Sequence, residues 1–302
     1  MKKIGILVLL MTLIALPGMA KTRSIRGSEQ QKIQEVYSVE PFSNLMLRGQ
    51  LEVEFTQGPQ GTYTVEFAGP YNLAELVEIK SMGGTLSLRY REPLSILGDD
   101  RVRVRVAAPN VESIQISDSG EIHAHTPITV ENLSITADGN AELEINDLTA
   151  QHLHLNLSGN AEVEIDKLVC QHVNARTKDS ASLDLQQTQC EEVIAHAFNR
   201  SELVITGLNG QSVLAENTDA SEIELKGKVQ KASLVSRGRG EIDARGLQAE
   251  NANVMAAKSA RIEVRVSGML TAESQDRAIV EYKGWPQQIN RTGKGVVRQD
   301  HN

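Results

Sequence analysis

The most regular feature of the sequence is an alternation of apolar and polar residues between positions 119 and 264. In HLHLNL (152–157) every second residue is leucine, and in EVEI (162–165) the apolar residues are Val163 and Ile165. Side chains of a β-strand point alternately to opposite faces, so this pattern predicts strands with one buried face. These segments do not follow the 3.6-residue period of an amphipathic helix.

The alternating segments recur with a period of twenty residues. An apolar residue follows each turn, at steps of 21, 20, 20, 20, 20, 19 and 20: Ile122, Leu143, Val163, Leu183, Leu203, Ile223, Ile242 and Ile262. Residues that tolerate a left-handed backbone occupy the preceding turn: Gly139, Gly159, Asp179, Asn199, Asp219 and Gly238. The repeat predicts an all-β fold, a parallel β-helix (a β-solenoid) with coils of about 20 residues stacked about 4.8 Å apart. The usual hand of strand connections favours a right-handed winding.

The chain divides into five predicted sections. Residues 1–20 have two lysines, an apolar run over 4–16 and small residues before Lys21, which is typical of a cleaved signal peptide. The apolar run is too short to span a hydrocarbon core of about 30 Å. Residues 21–35 are predicted to be disordered, 36–110 to form irregular β coils that cap one end, 111–284 to form the regular solenoid, and 285–302 to form a C-terminal cap and tail.

The charge of the chain argues against two classes of partner. It carries 31 Lys and Arg against 39 Asp and Glu, a net charge of −8, and loss of Lys2 and Lys3 with the signal peptide makes it −10. An acidic surface repels nucleic acid and anionic lipid, so we expect neither as a direct partner. We expect an exported protein, located in the periplasm, on the outer-membrane surface or outside the cell, with no membrane span in the mature chain.

Four segments resemble a known family. They are FSNLMLRGQLEVEFTQG (42–58), GTLSLRY (84–90), RVRVRVAAPNVESIQISDSGEI (101–122) and YKGWP (282–286). They resemble the head GIN domain, a domain of unknown function described as an autotransporter adhesin head and common in Bacteroidetes-type bacteria. The resemblance covers about residues 36–295. It implies a β-helical fold and a surface role, and it carries over no functional residues.

Carboxylates form two outward columns on the strand that follows each turn. The candidate residues for cation binding are Glu142, Glu162, Glu144, Glu164 and Asp184, and the second column continues to Glu224, Asp243 and Glu263. Hard cations such as Ca²⁺ take several oxygen ligands, which would suit these columns. Calcium-binding solenoids use Gly-Asp loop repeats, which do not occur here. We therefore favour the alternative of a solvated face that keeps the sheet soluble.

Two histidines and a glutamate occupy equivalent corner positions in successive repeats. His152, His172 and Glu192 offer the three protein ligands that a catalytic zinc ion uses. In a flat ladder, however, equivalent side chains run parallel rather than converging on one point. We favour ordinary surface residues over a zinc site, and we expect no cofactor.

Cys170 and Cys190 are the only cysteines and lie one period apart. Neighbouring coils place equivalent Cα atoms about 4.8 Å apart, within the range that a disulfide closes, and an exported protein meets an oxidising compartment. The alternative is a stack of buried free thiols packed as small apolar groups. The spacing leaves both arrangements open.

The repeats favour binding over catalysis. Corners of three or four residues leave no long loops to wall a cleft, and no Gly-x-Ser-x-Gly, His-Glu-x-x-His or P-loop motif occurs. We predict a non-enzymatic, adhesin-like binding module of the cell envelope that holds a surface glycan or protein. The alternatives are a structural envelope spacer and a polysaccharide lyase or hydrolase. The candidate contact residues are His154, Asn156, Arg176, His196 and Glu216.

Overall fold

The computed structural model describes residues 23–28, 32–97 and 102–300. These residues form 25 strands and one helix of four residues. The predicted signal peptide lies outside the described residues. Within the described ranges, no helix is long and apolar enough to cross a membrane.

The strands fall into an N-terminal section and a series of stacked coils. The N-terminal section contains β1 (Arg23–Arg26), β2 (Lys32–Ser38), β3 (Phe42–Arg48), β4 (Leu51–Gln57), β5 (Thr64–Pro70), α1 (Tyr71–Ala74), β6 (Val77–Met82), β7 (Gly84–Tyr90), β8 (Leu94–Leu97) and β9 (Val102–Ala108). The first following coils contain β10 (Ser113–Ser117), β11 (Glu121–Ala124), β12 (Ile128–Thr129), β13 (Asn132–Ala137), β14 (Glu142–Leu157), β15 (Glu162–Thr177), β16 (Ser182–Leu185) and β17 (Thr188–Ala197). The last coils contain β18 (Glu202–Asp219), β19 (Glu222–Gly238), β20 (Glu241–Lys258), β21 (Arg261–Val266), β22 (Met269–Ser274), β23 (Ile279–Lys283), β24 (Gln288–Gly293) and β25 (Val296–Gln299).

Each regular coil contains three parallel strand segments separated by bends. Between β14 and β15 the pairing runs over 142–145, 147–150 and 152–157, each residue opposite the one twenty positions later. Equivalent pairings continue through β17, β18, β19 and β20. We name the outward surface of 142–145 the acidic face, that of 147–150 the short face and that of 152–157 the contact face. The equivalent segments of the other coils keep the same names. The predicted parallel β-solenoid is confirmed, over about nine turns.

Aliphatic stacks fill the interior of the coils. Ile145, Ile165 and Leu185 are in register in successive coils and have no exposed surface. Leu153 and Val173 belong to a second stack and are at most 1% exposed. Full burial of such a side chain contributes roughly 1.5–3 kcal/mol. The predicted inward positions of these two stacks are therefore confirmed.

The turn before the acidic face has a left-handed backbone residue in coil after coil. All six predicted turn residues have a positive φ: Gly139 (76°), Gly159 (74°), Asp179 (66°), Asn199 (66°), Asp219 (63°) and Gly238 (114°). Lys258 and Asp276 continue the column with φ of 65° and 58°. Lysine rarely adopts this conformation, because its Cβ crowds the backbone, so its residue type did not mark this turn.

The N-terminal section closes the solenoid with antiparallel strands. β3 and β4 stack on β10 and β11, while β7 and β9 cover the other edges of β3 and β4. β5 then pairs antiparallel with β9, β2 with β5, and β6 with β7. The cap thus departs from the irregular coils predicted over 36–110. Its strands cover the backbone edge that an open end of the sheet would expose.

Two sections outside the predicted regular solenoid also contain strands. Residues 21–35 were expected to be disordered, but Arg23–Arg26 pairs with β8 and Lys32–Ser38 pairs with β5. Residues 285–302, predicted to form a C-terminal cap and tail, contain β24 and β25, which stack in parallel on β22 and β23 as a further coil. In the first case the partner strands lie some thirty to seventy residues away, outside any repeat. The predicted hand of the winding stays a prediction.

A single charged substitution tests the assignment of inward and outward residues. Leu155, which is 2% exposed, lies in an aliphatic stack, whereas His154 beside it is exposed. Leu155→Asp should lower the free energy of unfolding by about 4 kcal/mol, because it buries a charge without a partner. His154→Asp is the matched control and should unfold within about 0.5 kcal/mol of the wild type in urea. Equal unfolding midpoints for the two variants would contradict the assignment.

Candidate functional site

The contact face carries its outward side chains in two columns. Asn156, Arg176, His196 and Glu216 are in register in four successive coils. His154 lies in the neighbouring column, which continues through Asn174, Ile194 and Leu214. All five predicted contact residues therefore lie on one face of the solenoid.

An aromatic side chain joins this face to the turn. The guanidinium carbon of Arg176 lies 4.4 Å from the centroid of the Phe198 ring. The His196 ring lies 6.4 Å from the same ring, and its Nδ1 is 3.7 Å from Oε2 of Glu216. A cation over an aromatic face at such an exposed site contributes about 0.5–1 kcal/mol. Sequence reasoning missed Phe198, because it lies between the alternating segment and the turn residue Asn199 and belongs to neither pattern.

An open concavity of about 540 Å³ lies further along the contact face. Its apolar lining includes Leu214 and Met269, and Met269 is 43% exposed. Its polar lining consists of amide, hydroxyl and charged groups: Glu192, Ser212, Lys231, Ser233, Asn251, Asn253 and Thr271. Such a mixture suits contact with sugar rings or with side chains of another protein. The sequence signal that could have located it is the apolar residue Leu214 at an outward position.

In the first regular coils, the two carboxylate columns lie on the acidic face. Glu142 pairs with Glu162, and Glu144, Glu164 and Asp184 follow one another in register. Burial and the neighbouring carboxylates raise the pKa of Glu164. Burial likewise raises the pKa of Asp184, against a hydrogen bond from Gln186. Among the described residues, no group of three or more His, Cys, Asp or Glu side chains is arranged to hold a metal ion.

The C-terminal part of the acidic face is neutralised by arginines. Glu263 and Glu281 are only 4% and 6% exposed. Arg261 Nη2 lies 2.6 Å from Glu263 Oε1, and Arg245 Nε lies 2.5 Å from Glu263 Oε2. Arg298 forms an ion pair with Glu281. Glu263 was predicted to be a solvated outward residue, and this is wrong, because arginines of its own and the preceding coil cover it.

The proposed zinc ligands form a ladder rather than a converging set. The rings of His152 and His172 stack with centroids 5.1 Å apart and planes 6° apart. His172 Nδ1 lies 3.2 Å from Oε2 of Glu192. Parallel rings direct their nitrogens side by side, whereas zinc takes its ligands from the corners of a tetrahedron.

Both cysteines are buried, unbridged thiols in register with each other. Cys190 Sγ lies 3.2 Å from the carbonyl oxygen of Glu192, to which it donates a hydrogen bond. The hydrogen bond with Cys190 and burial raise the pKa of the Cys170 thiol. Of the two arrangements that the sequence left open, this geometry corresponds to the stacked thiols.

A second concavity, of about 550 Å³, follows the turn column. Arg200, Arg239, Lys258 and Arg277 line it together with Asp219. The three arginine side chains are exposed, and none forms an ion pair with another part of the chain that the structure describes. Charge therefore differs between the surfaces of the solenoid, although the chain as a whole is acidic.

Comparison with known proteins finds a matching family and crystal structures of similar fold. Residues 41–198 and 176–286 match the model of a family described as "Putative auto-transporter adhesin, head GIN domain". A crystal structure of a "putative adhesin" from Parabacteroides distasonis is similar at 18% identity, covering 92% of this chain and 100% of that chain, with a TM-score of 0.55. Another "putative adhesin", from Parabacteroides merdae, is similar at 16% identity with the same coverages and a TM-score of 0.54.

A third structure carries a different description. A "Putative lipid binding protein" from Parabacteroides distasonis is similar at 16% identity, covering 92% of this chain and 100% of that chain, with a TM-score of 0.51. At such identities the likeness concerns the fold alone. No curated protein matches the chain.

The raised pKa of Glu164 predicts a pH-dependent effect of Glu164→Gln. A raised pKa means that the folded protein binds a proton here more tightly than the unfolded chain does. Protonation of Glu164 therefore raises the free energy of unfolding as the pH falls through the raised pKa towards the ordinary value of 4.5. This gain in the free energy of unfolding is lost as the pH rises through the raised pKa. At pH 7, Glu164→Gln should be as stable as the wild type or slightly more stable, and the difference should shrink on acidification in urea unfolding series.

Glu54 is the matched control, because its pKa is shifted in the opposite direction to that of Glu164. The hydrogen bond from Arg105 lowers its pKa, so its contribution to stability is present above the ordinary value of 4.5 and lost as the pH falls through the lowered pKa. Glu54→Gln should therefore be less stable than the wild type at pH 7. A Glu164→Gln protein that is also less stable at pH 7 would contradict the account of the acidic face.

Proposed function

The chain belongs to the head GIN domain family of putative auto-transporter adhesins, and on that premise we propose that it is an exported, non-enzymatic binding module of the cell envelope or cell surface. It holds a surface glycan or protein on the contact face. The signal-peptide pattern of residues 1–20 and the adhesin description of the family support the exported location.

The observation that carries this proposal is the open concavity on the contact face. Leu214 and Met269 present apolar atoms outward from a sheet whose other outward residues are mostly polar. Exposed apolar surface rimmed by polar groups marks interaction sites on soluble proteins. Because coils repeat along the axis, a long partner meets similar contacts in successive coils, and weak contacts then sum to useful avidity.

The charge of the acidic face favours binding of a partner at the contact face. In the first coils of the acidic face the carboxylates repel anionic surfaces and remain hydrated, whereas the contact face mixes amides, hydroxyls and charges of both signs. A partner with a polyhydroxyl or mixed surface therefore meets the contact face at a lower desolvation cost. The acidic face then keeps the solenoid soluble.

The two alternative functions fit the geometry less well. A polysaccharide lyase or hydrolase needs a cleft walled by long loops, with paired acidic groups inside it. In the coils between residues 142 and 258 the bends are short, and the strand segments follow one another almost without interruption. A spacer has no use for outward apolar side chains such as Leu214 and Met269.

Two substitutions on strand β18 test the contact face. Leu214→Asp introduces a charge into the concavity, while Val204→Asp introduces the same charge at an outward position of the acidic face. The purified chain should bind members of a glycan array or a panel of purified surface proteins. Leu214→Asp should weaken this binding about tenfold or more, a loss of about 1.4 kcal/mol, and Val204→Asp should leave it unchanged.

Three outcomes would contradict the proposal. Absence of binding to every glycan and protein would favour a spacer. Equal losses for Leu214→Asp and Val204→Asp would remove the contact face from the account. Turnover of neutral or uronate-containing polysaccharides, with or without Ca²⁺, would show an enzyme.

A further inference from the structure

We propose that the loop after β23 builds a second, separate binding site, in which Trp285 stacks on a sugar ring and Arg265 binds that sugar's carboxylate. The ligand class is a uronate-containing glycan. The site lies at the short face, so it goes beyond the contact face and names a ligand class that the proposed function leaves open.

Trp285 is the only tryptophan of the chain and is 83% exposed. Indole offers a large apolar ring with an electron-rich face, and in a soluble protein it is usually well buried. Exposed aromatic rings instead occur where they contact a partner. An indole with most of its surface in water therefore offers an open apolar face to a ligand.

The backbone of this loop is held in place on both sides of the indole. Gly284 has a φ of 92°, and a Cβ on it would lie 2.5 Å from the carbonyl oxygen of Val266. Gln299 Nε2 donates a hydrogen bond to the Gly284 carbonyl oxygen at 3.0 Å, and the Gln287 N–H donates to the Gly268 carbonyl oxygen at 2.7 Å. Pro286 restricts the loop further. The indole is therefore presented in advance, which lowers the entropy cost of binding.

Trp285 lines a concavity of about 570 Å³ together with a column of polar side chains. Lys228, Gln248 and Arg265 follow one another in register in three successive coils, and all three are exposed. The two cations therefore lie about 10 Å apart, with the amide between them. In the ranges that the structure describes, none of these side chains has a hydrogen-bond or ion-pair partner, whereas Lys283, next in the column, lies 3.2 Å from Asp300.

This arrangement fits an acidic sugar. The C–H face of a pyranose ring packs on indole, and the planar guanidinium of Arg265 can hold a carboxylate through two parallel hydrogen bonds. Gln248 and Ser267 offer groups for sugar hydroxyls, and Glu250, which also lines the concavity, accepts from hydroxyls. Lys228 and Arg265 against Glu250 leave the lining with one net positive charge, although the whole chain carries −8.

The same lining disfavours an apolar protein segment. Val229 and Val266 belong to the concavity but are only 6% and 1% exposed, so the indole is its main apolar surface. A hydrophobic peptide anchor needs an apolar pocket around it. One ring beside polar and cationic groups matches a sugar better.

Fluorescence of the single tryptophan reports on this site alone. The purified full chain is titrated with oligosaccharides of galacturonate, alginate and hyaluronan, and the emission of Trp285 should change saturably with at least one of them. A fully methyl-esterified galacturonate oligosaccharide has the same rings without the charge, so it should bind about tenfold more weakly than its acid form if the acid form binds.

Variants separate stacking from general attraction of charge. Arg265→Gln should weaken binding of the acid form about tenfold and leave the esterified form unchanged. Arg277→Gln removes another exposed arginine, from the concavity that follows the turn column, and should have no effect. Trp285→Ala, followed by calorimetry, should abolish binding, and circular dichroism should show that it folds.

No change in emission with any of the three acidic oligosaccharides would overturn the site, as would a response to apolar peptides alone. Equal losses for Arg265→Gln and Arg277→Gln would also overturn it. Failure of this site can be told apart from failure of the contact face. If binding to the array is weakened by Leu214→Asp but persists in Trp285→Ala, the proposed function stands without this second site.

Discussion

The parallel backbone ladder between coils of equal length is the interaction on which the rest of the structure depends. Because each residue of one coil pairs with the equivalent residue of the next, every inward position becomes a stack and every outward position a column. The aliphatic stack that contains Ile145 and Ile165 supplies the apolar burial. The turn column of left-handed residues keeps the coil length near twenty, so that the ladder stays in register.

The same ladder also brings like charges together. On the acidic face, Glu164 lies between other carboxylates, and its pKa is raised. Further along the axis the column acquires arginines, and Glu263 is buried under Arg245 and Arg261. One register therefore produces a hydrated, repelling surface in early coils and a neutralised one near the C-terminal end. The two proposed binding surfaces, the contact face and the part of the short face at Trp285, lie outside these carboxylate columns.

Features that repeat every twenty residues could be predicted from the sequence, because each is encoded locally in every coil. The strands, the stacks and the turns at Gly159 and Asp179 are of this kind. The antiparallel N-terminal cap could not be predicted, since β2 pairs with β5 across some thirty residues without a repeat. Burial of Glu263 depends partly on Arg245 of the preceding coil, and exposure of Trp285 depends on a loop anchored by residues distant in sequence.

Removing a whole period tests the ladder most directly. Deletion of residues 162–181 joins Ala161 to Ser182, which is in register with Glu162, so every remaining coil can stack as before. Deletion of residues 162–171 removes half a period and joins Ala161 to His172, which belongs to another face. In a solenoid whose stability is a sum over neighbouring coils, the first deletion should keep the β circular dichroism spectrum and unfold cooperatively in urea, while the second should lose both. The account would be contradicted if the variant that lacks twenty residues is unfolded. It would also be contradicted if the variant that lacks ten residues is as stable as the variant that lacks twenty.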